Sequence, residues 1–473
     1  MNRPKLLLPL ALLVLVCGQP KAARPAAEGV GSDSLQTWYS FYLAGQKIGY
    51  AVYRTEKLAH GYRFEDLSRM NVGMMGTAQT LRTRSVATTD ANLVLKSFEF
   101  SLTSQDRSFS AQGRVRDKEL LVTDKKTGRQ RSIPLSGPVY PIAALGMVVI
   151  RANQEPGKSY VYNTFDGAVM DVLPAEVTLV GTESVSIEGR MVPALKLRTR
   201  RAKLNSTTWL ASDGTSLIEE TDIGLKAVRT TEEMALAGET ESARLDILAL
   251  FRVKVDTVIP EPDKIKRLVI AVSGVDTADF KLAGPNQQVL ETNPLTLEIT
   301  TPRLPDQPVN LPVKAEPDFL KPSVSVQSDD PMVTAKARAI VGSVQDGRTA
   351  ARLLMEWVFR TLDKEATASF PTARDVLEHM KGDCNEHAAL FTALARASGI
   401  PTRVVAGLVY LEGAFYYHAW NEVFLDRWIP VDATFGQFPA SAVHFRIVEG
   451  DIARQAEVLG VVMKIGLKVV SFE

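Results

Sequence analysis

The chain is poor in residues that commonly carry chemistry, with 2 cysteines and 5 histidines among 473 residues. So few thiols exclude a disulfide framework as the source of stability. The Cys and His positions have no spacing that suits a zinc or haem site, so neither a metal nor a cofactor is expected. An excess of charge is missing as well. Lys and Arg total 55 against 54 Asp and Glu, a formal net charge of +1. That balance gives no electrostatic basis for nucleic acid as a partner. The apolar run from Leu6 to Val16 is too short to span a bilayer and has the length of a signal-peptide core.

That run follows Arg3 and Lys5 and ends at Cys17, so residues 1–17 are expected to be a signal peptide or lipoprotein signal. The stretch Val14-Leu15-Val16-Cys17-Gly18 resembles a bacterial lipoprotein box, with Val16 where a small residue is usual. Residues 18–34, rich in Ala, Pro, Gly and Ser, read as a tether. The expected location is outside the cytoplasm of a bacterium, periplasmic or held at the membrane through an acylated Cys17. Whether Cys17 is acylated or removed, Cys384 has no disulfide partner.

From Trp38 onward the pattern is that of strands. Trp38–Leu43 and Ile48–Tyr53, aromatic and β-branched, flank Ala44-Gly45-Gln46-Lys47, a hairpin signal. Similar runs recur at Leu93–Leu102, Ser108–Val115, Val177–Val180, Ala194–Thr199 and Thr207–Leu210. Residues 35–250 are therefore expected to form an antiparallel β-rich domain, a curved sheet or open barrel. Residues 251–322 read as further strands followed by a connector, because prolines between Pro302 and Pro322 forbid a helix. Helical periodicity begins after that. Ala350, Leu353, Leu354, Trp357 and Val358 share one face of a predicted helix over 349–362. Another is predicted from Cys384 to about Ser398, stopped by Gly399 and Pro401. Residues 323–473 thus read as an α+β domain.

Three short blocks carry the chemistry. Cys384 follows Lys381-Gly382-Asp383 and opens a helix, where the dipole and unpaired backbone amides favour a thiolate. Its neighbours Asp383, Asn385 and Glu386 are polar, unlike those of a packing cysteine. His418 lies in Tyr416-Tyr417-His418-Ala419-Trp420-Asn421, an alternating strand. Asp432 lies in Ile429-Pro430-Val431-Asp432-Ala433-Thr434. The separation of His418 and Asp432 suits adjacent strands joined by a hairpin near Leu425-Asp426-Arg427. Asp432 would then hold one imidazole nitrogen while the other faces the thiol. On this reading Asp432→Asn is the mildest of the three single losses, since an amide still accepts a hydrogen bond. His387, one turn beyond Cys384, is a rival base. Trp357 is a rival oxyanion donor, but its helical spacing with apolar neighbours points to packing. His379 and His444 have no chemical context in the sequence.

Together these blocks resemble the transglutaminase-like superfamily found in many bacterial exported proteins. The likeness runs through Gly382-Asp383-Cys384-Asn385-Glu386-His387-Ala388, Ala395–Val404, His418–Val423 and Trp428–Thr434, with Ala433 where many members have proline. It implies a multidomain chain, β-rich and then papain-like α+β. Cys384 would be the nucleophile, His418 the base and Asp432 its orienting group. The function implied is cysteine-dependent acyl transfer on a peptide or protein substrate through a thioester. The alternative is a binding or envelope-assembly module with a vestigial core.

Overall fold

The computed structural model describes residues 34–74, 77–104, 107–238, 245–365 and 370–473. The expected signal over 1–17, with Cys17, lies outside the described residues, as does the tether apart from Ser34. Two compact units divide the described chain between Asp246 and Ile247, Phe370 alone belonging with the first.

The first unit is a 15-stranded sheet built almost wholly as an antiparallel meander. The first strand, Ser34–Leu43, pairs on one side with Gln46–Leu58 and on the other with Leu225–Thr230, joining two runs of sequential hairpins. The single parallel pairing sets Val139–Pro141 beside Ser159–Asp166. Burial alternates along many of these strands, as in Leu95–Ser104, because successive side chains point to opposite faces. The expected β-rich, antiparallel fold is present. A short helix, Leu145–Ala152, packs Val149 against Ala175, Val177 and Leu197.

The second unit is mixed α/β. Its five-stranded sheet carries Val253–Lys254, Ala414–Phe424, Thr402–Leu411 and His444–Glu449 in that order, with Trp428–Val431 also paired to Ala414–Phe424. A four-stranded sheet orders Gln287–Thr292, Leu295–Thr300, Arg267–Ser273 and Gly466–Phe472. Strands from 251–300 are thus hydrogen-bonded to strands beyond residue 400, and both sheets belong to this unit. Three helices, Pro331–Val341, Gly347–Thr361 and Ala373–His379, surround a fourth, Cys384–Ala397. That fourth helix is buried from Cys384 to Ala395. Its Leu390, Phe391 and Leu394 join Leu354, Val358, Val423 and Ile429 in one core. Burying the helix end in protein, rather than water, is what makes its first turn a chemically distinct place. No described helix is long and apolar enough to cross a membrane.

Candidate active site

The Cys384 helix is started by reciprocal capping. Asp383 Oδ1 accepts the Asn385 N–H at 2.8 Å, and Glu386 Oε2 accepts the Asp383 N–H at 3.0 Å. These bonds satisfy amides that a helix N-terminus otherwise leaves orphaned. Gly382 is required by the closeness of Glu386. A Cβ at Gly382 would lie 2.3 Å from Glu386 Cβ. Cys384 is therefore held at the first helical position.

The strand Ala414–Phe424 runs against this helix. Asn421 Nδ2 donates to Ala388 O at 3.0 Å and to Thr392 Oγ1 at 2.7 Å, tying strand to helix two turns along. The Ala419 amide donates to the Cys384 thiol. That contact brings the nucleophile candidate beside the residue that follows His418. The His418 ring stacks on Phe435 with centroids 4.9 Å apart.

Asp432 lies one residue beyond the strand Trp428–Val431. Asp432 and Gln437 exchange backbone hydrogen bonds of 2.9 Å each, closing a turn between them. Within that turn Oδ1 accepts the amides of Thr434 at 2.7 Å and Phe435 at 3.0 Å, a local Asx pattern. Oδ2 faces the other way. It lies 2.7 Å from His418 Nε2 and 3.0 Å from His444 Nε2. One buried carboxylate thus gathers two backbone amides and two buried imidazoles.

His444 has no signal in the sequence, yet it occupies the centre of this arrangement. Its Nδ1 lies 3.0 Å from Ser441 O, and its Nε2 lies on the Asp432 carboxylate. A carbonyl and a carboxylate both accept, so the ring is held between two acceptors. His418 differs. Its Nε2 donates to Asp432, whereas its Nδ1 is buried without a hydrogen-bond partner. Fixing the proton on Nε2 leaves the Nδ1 lone pair exposed to whatever stands before it.

The electrostatics divide by site. Burial alone would raise the Asp432 carboxyl, but His418 and His444, by charge and hydrogen bond, hold it far below the usual carboxylate range. The Cys384 thiol is pushed up, first by burial and then by the Asp383, Glu386 and Asp432 carboxylates. The Ala419 amide opposes them. Here the structure departs from the expectation of a thiolate favoured by the helix N-terminus. The residues that cap the helix are themselves anionic and sit beside the sulfur. Cys384 has 0% relative exposure, so water does not screen them.

The remaining candidates fall away from the centre. His387 is lowered to about 4 by burial, with Lys364 adding to the effect, so the ring is neutral near pH 7. Its Nδ1 donates to Asp383 O at 2.7 Å, and that bond with the Glu386 and Asp432 carboxylates only partly offsets the burial. Trp357 packs partly buried against the helical core, with the Lys336 ammonium 5.2 Å from its ring centre. His379 Nδ1 closes on Asp375 O within its own helix. Among the described residues, His418, Asp432 and His444 bring ligand-type atoms within 4.8 Å of one another. Their nitrogen–oxygen separations are hydrogen-bond lengths, and a cation there would have to replace both bridging protons.

A family model described as the transglutaminase-like superfamily matches residues 334–433. No curated protein sequence matches the chain. Among solved structures, a protein from Cytophaga hutchinsonii provisionally assigned as a cysteine protease is 17% identical. The match covers 44% of this chain and 87% of that one at a TM-score of 0.31. The periplasmic domain of TgpA from Pseudomonas aeruginosa is 16% identical, over 39% of this chain and 89% of that one, with a TM-score of 0.28. A β-barrel-like protein from Brucella abortus is 14% identical, over 43% of this chain and 98% of that one, with a TM-score of 0.35. The matched residues 334–433 hold Cys384, His418 and Asp432, so this segment is transglutaminase-like.

Proposed function

We propose that the chain is an exported cysteine-dependent acyl-transfer enzyme acting on peptide or amide bonds, with Cys384 as nucleophile, His418 as base and Asp432 as its orienting group. The observation that carries this is the state of His418: Nε2 held by Asp432, Nδ1 buried and without a partner, one residue from the amide that touches the thiol. An imidazole so arranged presents Nδ1 as the nitrogen that exchanges a proton with the thiol. Because the thiol is pushed up, its proton moves to Nδ1 as sulfur attacks rather than beforehand.

The S–H proton passes to His418 Nδ1 while sulfur bonds the carbonyl carbon. The carbon–nitrogen bond then breaks, His418 gives that proton to the departing amine, and a thioester remains on Cys384. Water, deprotonated by the same nitrogen, cleaves the thioester to a carboxylic acid and restores the thiol. An amine in place of water gives transamidation. Hydrolysis is favoured because water is the default acceptor. The reading includes a periplasmic location or anchoring through an acylated Cys17, and catalysis confined to residues 323–473. The second reading, a binding module with a vestigial core, draws support from the thiol's burial. The test is to expose the protein to a bacterial envelope extract and digest it. An acyl adduct on the Cys384 peptide by mass spectrometry, absent in His418→Ala, is the expected result. No adduct, with iodoacetamide labelling of Cys384 unaffected by loss of His418, would favour the second reading.

A further inference from the structure

The first compact unit holds a cavity of about 240 Å³ within its sheet. Much of its wall is apolar, including Phe98, Phe100 and Leu197. Three carboxyl residues also line it: Asp166, paired with Arg201, and two without such a partner, Asp66 from the strand Gly61–Met74 and Glu219 from Ser216–Thr221. Both of these last two groups are removed from bulk solvent, each keeps some accessible surface, and both line the cavity. Among the described residues neither carboxyl group has a side-chain hydrogen bond or an ion pair.

The surrounding charges make this pair unusual. The guanidinium lining the cavity, that of Arg201, is taken by Asp166. It reaches Glu219 through space and partly offsets its charge. Asp66 has no such relief. The charge that acts on it is the carboxylate of its neighbour Glu65, which is itself paired outside with Arg84, Arg63 and Arg54. Tyr39 and Tyr53 complete the titratable groups on the wall. Burial pushes Asp66 up to about 7, with Glu65 adding to it, and burial pushes Glu219 up to about 7 against Arg201. An enclosed carboxylate without a partner is costly. A sheet that keeps one beside an apolar wall is shaped for a ligand that brings the missing donor.

We propose that this unit binds a small amphipathic amine, its apolar body against Phe98, Phe100 and Leu197 and its ammonium group on the Asp66 carboxylate. Glu219 accepts a further hydrogen bond from the ligand. The inference is independent of the chemistry at Cys384.

The test compares octylamine, 1-octanol and octanoate by calorimetric titration of the full chain at pH 8. The three probes share one tail and differ in the head group. Octylamine is expected to bind at least about tenfold more tightly than octanol, as one charge-assisted hydrogen bond implies, with octanoate weakest. Between pH 8 and pH 5.5 a carboxyl group titrating near 7 becomes almost wholly protonated. The amine should then weaken toward the affinity of the alcohol, by at most about 30-fold, while the alcohol does not change. Asp66→Asn should reduce octylamine to the affinity of octanol, and Glu219→Gln should weaken it less. Asp66→Asn should unfold no lower than the parent at pH 8, since it removes an unpartnered charge. Equal binding of amine and alcohol, no binding of any probe, or unaltered amine affinity in Asp66→Asn would overturn the proposal. The head-group and pH comparisons use the unaltered protein, so they decide the matter even if the variant fails to fold.

Discussion

Asp432→Asn should be far from the mild change that the sequence suggests. An amide keeps one acceptor and gains a donor, but Asp432 is surrounded by four donors. Oδ1 takes the amides of Thr434 and Phe435, and Oδ2 takes His418 and His444. The amide nitrogen must face one pair. Backbone amides cannot change their protonation, so the nitrogen turns toward the imidazoles. Two charge-assisted hydrogen bonds of about 1.5–3 kcal/mol each are then lost, roughly 3–6 kcal/mol in all. His418 can recover one bond by accepting at Nε2. That moves its proton to Nδ1, the nitrogen that must take the proton of the thiol. Stability and reactivity should therefore fall together, reactivity by about 10³–10⁴-fold, the scale of a triad aspartate replaced by an amide. The assay is the rate of Cys384 alkylation by iodoacetamide, followed by peptide mass, beside thermal unfolding from pH 3 to pH 8. The Asp432 carboxyl is lowered in the folded state. Its contribution is present above the unfolded value of about 3.9 and is lost as pH falls through the folded value. The stability gap between parent and variant should accordingly be widest near neutrality and narrow below about pH 4. Alkylation within about tenfold of the parent, with an unchanged unfolding temperature at pH 7, would refute the donor assignment.

Other changes should separate the roles of the neighbouring groups. Cys384→Ala should abolish acyl-adduct formation while the protein stays folded, and the double variant with His418→Ala should be no worse, because the two act as a unit; an adduct surviving on another residue would contradict this. His444→Gln retains a donor for Asp432, so Cys384 alkylation should fall far less than in Asp432→Asn, whereas His444→Leu, which leaves Oδ2 one donor short, should slow it further; equal rates in the two variants would contradict the donor role. Asn421→Leu should cost about 2–4 kcal/mol by leaving Ala388 O and Thr392 Oγ1 buried without their donor, measured by chemical denaturation, with a smaller loss pointing to water taking its place. Gly382→Ala should destabilise the Cys384 helix start, seen as faster amide exchange at Asn385 and Glu386, because its Cβ would collide with Glu386.

Much of the candidate site is legible in local sequence. A polar Gly-Asp-Cys-Asn-Glu start before an apolar helix places Cys384 at a helix N-terminus, since capping depends on residues three apart. Alternation marks the His418 strand, and a short hairpin brings the Trp428–Val431 strand beside it. The family likeness rests on those same local blocks. Tertiary packing alone decided that the last histidine, His444, shares Asp432 with His418. Two strands that come together from 444 and 418 leave no periodic trace of which carboxylate they meet. It also decided the protonation of the thiol. Dipole arguments follow from helix position, whereas burial and three nearby carboxylates follow from how helix and strands close around it. In the same way Asp66 and Glu219 read in sequence as ordinary strand residues. They become enclosed groups only when distant strands of one sheet bring them to a common cavity. Local pattern determines which element a residue joins. Desolvation and charge pairing depend on every chain segment within a few ångströms, and those segments are specified only when the fold is complete.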